Sequence, residues 1–413
     1  MKKLLYLICT ALLLCAMLLN VVSCNQKVSA ANLTEGLARG TVTGKTADDA
    51  FIEAQMKFAV ELFQKSAAES EYENTLISPL SVMVALAMTA NGAEGLTEEE
   101  MEKVLGNGMS TEDLNAYLYE YVKNLSEEAV LANSIWFRSG EIDVKKDFLQ
   151  ANKDYYDAAV FEAPFDDSTV RDVNRWIEEN TNGMIKKMLE KLDDDTVMLL
   201  INALTFEGEW ATKYEKSDVH DHIFTALDGE EQTVDMMFSD EYQYLEDENA
   251  VGFIKNYKGG NYAFAALLPD ENIAIDEYVS SLTAARLTEI FDHQMGTSVS
   301  VGIPQFSYEY DISMNDILKS MGMESAFDSR ANLTDIGISP DGELYVGFVL
   351  HKTFIEVDTF GTKATAATIV GVNTECAPME PEKEVILDRP FVYMIIDLDT
   401  NLPVFIGTMT SVK

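Results

Sequence analysis

Val197-Met198-Leu199-Leu200-Ile201 sets five apolar side chains in succession, with no polar residue between them. Successive side chains of a strand point to opposite faces, so a strand exposed on one side alternates in polarity. An unbroken apolar run predicts a strand covered on both faces, inside a layered molecule. Phe264-Ala265-Ala266-Leu267-Leu268 reads as a second strand, ended by the turn signal Pro269-Asp270, and residues 299–303 before Pro304 as a third. Residues 392–396 and 404–406 read as a hairpin around the loop 397–403. Earlier in the chain the period is helical. Phe51, Phe58 and Leu62, with Ala59 and Phe63 on an adjacent row, recur at helical spacing. Ser78-Pro79 opens a second helix, with Val82, Ala85 and Leu86 on its apolar side. Thr97-Glu98-Glu99-Glu100 reads as a capping box before a third helix, and residues 171–189 as a further amphipathic helix with Trp176 and Ile177. Helices lead and strands follow without regular βα alternation, which predicts an α+β fold rather than a doubly wound sheet.

The first residues read as a processing signal. Lys2 and Lys3 precede an apolar run over residues 4–22, and Val21-Val22-Ser23-Cys24 matches a bacterial lipobox, in which the cysteine thiol is lipidated after cleavage. A plain signal peptide and an uncleaved membrane anchor are the alternatives. The lipobox reading gives a lipoprotein signal over 1–23 and a flexible tether over 24–48, rich in Thr, Ala, Gly and Asn. One domain then fills 49–413 of the 413 residues. It puts the protein at a bacterial cell surface or the outer face of a membrane, or, with a plain signal peptide, in the extracellular space. Of the four cysteines, Cys9 and Cys15 leave with the signal and Cys24 carries lipid. Cys376 then stands alone, and stability must come from the core rather than from disulfides.

The formal net charge is −40, with the acids spread along the chain. That charge repels nucleic acid and anionic headgroups, so the only membrane contact expected is through the lipid. Enzyme chemistry is weakly supported. There is no Gly-x-Ser-x-Gly elbow, no His-Glu-x-x-His and no phosphate-binding glycine loop. Ser78, before a proline, suits a helix N-cap rather than a nucleophile. Glu375 beside Cys376 would raise that thiol's pKa rather than activate it. Asp218, His220, Asp221 and His222 lack a third His or Cys for a closed metal site, so a polar strand edge is the better reading. No metal or cofactor is expected.

Residues 361–376, Gly-Thr-Lys-Ala-Thr-Ala-Ala-Thr-Ile-Val-Gly-Val-Asn-Thr-Glu-Cys, are small, β-branched and almost uncharged. Such a segment suits a solvated loop and a central strand equally well. Thr362, Ala364, Ala366, Thr368, Val370 and Val372 fall on one face; Lys363, Thr365, Ala367, Ile369, Gly371 and Asn373 fall on the other. Neither a proline nor a charge interrupts the first face, as burial in a sheet requires.

Several further motifs occur in the order in which one family carries them. They are Asn74-Thr75-Leu76-Ile77-Ser78-Pro79-Leu80-Ser81, Asn91-Gly92-Ala93-Glu94-Gly95-Leu96-Thr97 and Ala132-Asn133-Ser134-Ile135-Trp136. The series continues with Asn202-Ala203-Leu204-Thr205-Phe206-Glu207-Gly208-Glu209-Trp210, His351-Lys352 and Asp388-Arg389-Pro390-Phe391. From about residue 50 onward the chain resembles the serpins. The resemblance implies an α+β serpin fold: N-terminal helices on a large central mixed β-sheet, smaller sheets, and an exposed reactive-centre loop. It implies that Ser78, Ser81, Asn202 and His351 form the shutter where the sheet opens, and that Trp210 sits at the breach where insertion begins.

It also implies a mechanism. A serine endopeptidase, or a cysteine protease by cross-inhibition, attacks the loop and forms an acyl-enzyme. The cleaved loop then inserts as a new strand and carries the protease away, trapped as a covalent complex with a monomeric inhibitor. The hinge would comprise Gly361, Thr362, Ala364, Ala366, Ala367 and Thr368. About 14 residues of strand span roughly 45–50 Å, enough to cross the molecule. Two positions depart from the family pattern. Thr359 and Phe360 precede Gly361 where a glutamate usually lies two residues before the glycine, and Lys363 replaces a common glutamate. The scissile region lies among Thr374, Glu375, Cys376, Ala377 and Met379. Glu375 would suit a glutamate-preferring protease, Met379 a larger pocket, and the small residues an elastase- or subtilisin-like enzyme, which is the preferred reading. A non-inhibitory serpin acting as a surface binding or structural protein is the alternative, and an unrelated hydrolase or adhesin the third.

Overall fold

The computed structural model describes residues 28–70, 73–193, 196–340, 344–362 and 383–413. Its centre is an eight-stranded mixed sheet. In chain order the strands are β1 (Ala31–Asn32), β2 (Ala129–Arg138), β3 (Ala159–Ala163), β4 (Met198–Phe206), β5 (Gly208–Glu209), β6 (Phe306–Ser313), β7 (Phe348–Val357) and β8 (Gly361–Thr362). Across the sheet they run β1-β3-β2-β4-β7-β8-β5, with β6 along the other edge of β7. Pairing is antiparallel between β2 and β4 and parallel between β4 and β7.

Residues 198–201 of the apolar run open β4, all of whose residues are buried, while Val197 precedes the strand and is half-buried. Leu200, Leu204 and Phe206 belong to the main core; Leu199, Ile201 and Ala203 join Trp136, Phe161 and Trp176 in a second cluster on the opposite face. Helix α1 (Asp49–Glu69) is capped by Asp48, which accepts the Phe51 amide. Helix α2 (Pro79–Ala90) is buried at every position and is capped by Ser78. Helix α3 (Asp167–Asn180) covers the second cluster with Val173, Trp176 and Ile177. The strands expected at 264–268, 392–396 and 404–406 lie together in a six-stranded sheet, and that at 299–303 in a four-stranded one.

Three expectations need correction. Residues 28–48 are not a free tether. Asp172 Oδ2 of α3 accepts hydrogen bonds from the Ser29 amide, the Ser29 hydroxyl and the Ala30 amide, at 2.9, 2.5 and 3.0 Å. Ala31–Asn32 then pairs antiparallel with β3 as the sheet's edge strand, and Thr34 is buried. The segment is held through its backbone, which composition does not report. Thr97 makes no capping box. The helix Leu96–Gly106 starts after Gly95 without a side-chain cap, and Thr97 Oγ1 instead meets Ser325 Oγ and the Asn332 amide. Helix α3 begins before residue 171 and stops at Asn180, because Asn182 and Gly183 adopt positive φ of 51° and 75°.

Candidate functional site: the seam in the central sheet

β4 and β7 lie side by side but pair over only four steps, from Leu199–Phe348 to Asn202–His351. Among the described residues, pairing on that edge of β7 resumes only where Val357 meets Thr362 of β8. β8 is itself paired with β5, Gly361 to Glu209 and Thr362 to Gly208. Between these points the facing edges of β4 (203–206) and β7 (352–356) have no described strand between them. The sheet carries a seam, closed below by residues 202 and 351 and wedged open above by β8.

The lower end gathers four of the sequence-singled residues. His351 Nε2 accepts the Ser78 amide at 3.0 Å, Ser78 Oγ accepts the Ser81 amide, and Ser81 Oγ donates to Asn202 Oδ1. Asn202 Nδ2 in turn donates to Asn133 Oδ1 on β2. Since Nε2 accepts, the neutral imidazole carries its proton on Nδ1. That buried Nδ1–H has no partner among the described residues. Burial holds the His351 pKa down to about 3, so the ring is neutral.

The upper end is built around Trp210, which is buried and stacked on Tyr257 at 4.7 Å between ring centroids. Its Nε1 donates to the Asp358 carbonyl and its backbone amide to the Phe360 carbonyl, each at 2.8 Å. The Tyr214 amide donates to the Thr359 carbonyl. Lys255 is also buried. Its Nζ pairs with Glu241 at 2.5 Å and lies 4.5 Å from the Tyr214 ring centroid and 5.5 Å from that of Trp210. This charge is compensated twice, by a carboxylate and by aromatic faces. Gly361 is required by close approach rather than by an unusual φ: a Cβ there would lie 1.9 Å from the Gly208 carbonyl oxygen.

Gly361 and Thr362 are thus seated in the sheet, and Trp210, Ser78, Ser81, Asn202 and His351 flank the seam. Ala364, Ala366, Ala367, Thr368, Thr374, Glu375, Cys376, Ala377, Met379 and Cys24 lie outside the described residues. Sequence reasoning missed Asn133, Tyr257, Asp358 and the Lys255–Glu241 pair as members of the site. Asn133 was within reach, being an asparagine in a quoted strand motif; the others carry no signal in spacing or composition. His220 and His222 lie on the edge strand Val219–Thr225 against Phe238, and no cluster of three metal-ligating side chains occurs among the described residues.

A sheet parted between two central strands, with a short strand started in the gap, defines the class. The family model for serpin (serine protease inhibitor) matches residues 53–412, and the chain belongs to that family. An uncharacterized serpin-like protein of Methanosarcina mazei is 31% identical over 86% of this chain and 85% of its own length. Human neuroserpin is 29% identical over 86% of this chain and 90% of its own. Among solved structures, the thermophilic serpin tengpin in its native state is 48% identical. It superposes with a TM-score of 0.88 over 92% of this chain and 99% of that one. Members of the family are generally inhibitors of serine proteases.

Proposed function

We propose that this serpin is an irreversible suicide-substrate inhibitor of serine endopeptidases of elastase- or subtilisin-like preference. It would trap the acyl-enzyme by inserting the cleaved segment after Thr362 into the seam. The observation that carries this reading is the register of β8. Thr362 opposes Val357 on one side and Gly208 on the other. Continued two residues at a time, Ala364 would oppose Ile355 and Phe206, Ala366 would oppose Thr353 and Leu204, and Thr368 would oppose His351 and Asn202. The two sides agree, because Asn202 and His351 already pair with each other. The inward face then meets buried positions with small side chains, and a threonine hydroxyl arrives beside the His351 Nδ1–H, which has no partner among the described residues. In this reading cleavage falls between residues 374 and 377, the inhibitor acts as a monomer, and lipid on Cys24 holds it at a membrane surface.

The test is incubation of the protein without its signal with elastase, subtilisin, trypsin and a glutamate-specific protease, followed by denaturing electrophoresis. A covalent adduct with elastase or subtilisin is expected, and the mass of the released C-terminal peptide locates the bond. Thr368→Arg should abolish the adduct and leave cleavage, since a charge would have to enter the sheet. Cleavage without an adduct by the unmodified protein would instead make it a non-inhibitory serpin.

A further inference from the structure

The turn joining β7 to β8 is satisfied at nearly every polar group. The Asp358 amide donates to the Gly361 carbonyl at 2.9 Å, closing a tight hairpin between Val357 and Thr362. Asp358 Oδ1 accepts the Phe360 amide at 2.7 Å and the Gly361 amide at 3.1 Å. The three carbonyls of Asp358, Thr359 and Phe360 accept from Trp210 Nε1, the Tyr214 amide and the Trp210 amide. The Lys213 ammonium lies 5.6 Å from the Phe360 ring centroid. Beyond the turn, the hydroxyls of Tyr257 and Thr362 are hydrogen-bonded at 2.5 Å, inside the core.

This construction has a kinetic meaning. Starting a hairpin is its costly step, because a turn must be ordered before any ladder bond rewards it. Each later pair adds contacts to a register already fixed. Here the turn and the first pair exist before anything is inserted. The glutamate that usually lies two residues before the hinge glycine is absent, since Thr359 occupies that position. A carboxylate one residue earlier acts on the turn's own amides.

We propose that Asp358 is a positioning residue that holds the 358–361 turn as a preformed nucleus for strand insertion, with Tyr257 fixing the register through Thr362. The inference rests on the insertion reading above and assigns it a rate-controlling element. Asp358 acts on the partition of the acyl-enzyme between trapping and hydrolysis, not on attack by the protease. Fast insertion favours the adduct; slow insertion releases active protease and cleaved inhibitor.

The experiment measures two quantities with elastase or subtilisin: the rate of loop cleavage and the number of inhibitor molecules consumed per protease trapped. Asp358→Ala leaves two amides without their acceptor; it should raise the excess of the second quantity over one by at least about fivefold and leave the first unchanged. Asp358→Asn keeps the Oδ1 acceptor and should restore the unmodified value. Should Asp358→Ala fail to fold, Tyr257→Phe keeps the stack on Trp210, removes only the hydroxyl, and should raise consumption likewise. Unchanged consumption in the variants, or no rescue by asparagine, overturns the proposal. If the unmodified protein is cleaved but forms no adduct, inhibition itself fails. The rate at which the cleaved chain gains thermal stability then takes over as the readout. Slower gain in Asp358→Ala supports the nucleus, and an equal rate or no gain overturns it.

Discussion

Among the described residues His351 has no ionisable partner in its network: Ser78, Ser81 and Asn202 are all neutral there. Its pKa falls to about 3 because a charged ring would be stranded in the core. In the unfolded chain it returns to about 6.5. The sign follows: the stabilisation is complete above pH 6.5 and is lost as pH falls toward 3, because only the unfolded state takes up the proton. The loss approaches ~1.4 kcal/mol per pH unit for this one proton. Measured between pH 6.5 and 5.5, above the main carboxylate range, the unfolding free energy of the unmodified protein should fall more steeply than that of His351→Gln. Equal slopes would mean that the ring is hydrated in the native state. Which of its nitrogens lacks a partner was not readable from the motif His351-Lys352. It depends on where α2 sets the Ser78 amide.

At the scale of elements, the strands and the long buried helix were readable because burial on two faces demands unbroken apolar runs. The start of the helix Leu96–Gly106 was not, since Gly95 opens it and Thr97 is drawn into a contact with Ser325 more than 200 positions away. Residues 28–34 were misread for a related reason. They bind as an edge strand and by three donors to one carboxylate, neither of which needs an apolar pattern. Removing residues 28–34 should therefore destabilise the molecule by ~2–4 kcal/mol, the sum of several hydrogen bonds at ~0.5–1 kcal/mol each and the re-exposed edge of β3. Denaturant unfolding of chains beginning at residues 28 and 35 checks this. Coincident midpoints would show that the segment rests on the sheet without supporting it.

For the whole molecule, the docking of residues 28–34 changes what the proposed anchor would do. With Ser29 fixed on α3, a lipid on Cys24 would be about five residues from the body, at most ~18 Å of extended chain. The strongly acidic body, in a chain whose full-length net charge is −40, would then be held close to headgroups that repel it when they are anionic. Cys24→Ser should move the protein from the membrane fraction to the soluble fraction of the producing cells. Retention in the membrane would sink lipidation as the means of attachment.

The fold class, the central strand and the grouping of Ser78, Ser81, Asn202 and His351 were legible in the sequence alone. All of these are written in polarity patterns and family motifs. The tertiary structure decided that β8 is already seated, that Gly361 is required by the Gly208 carbonyl, and that Asp358, Tyr257 and Lys255 build the head of the seam. Those features depend on hydrogen bonds and close approaches between segments far apart in the chain. A periodicity reports which side of an element is buried, but not which distant backbone atom it meets there.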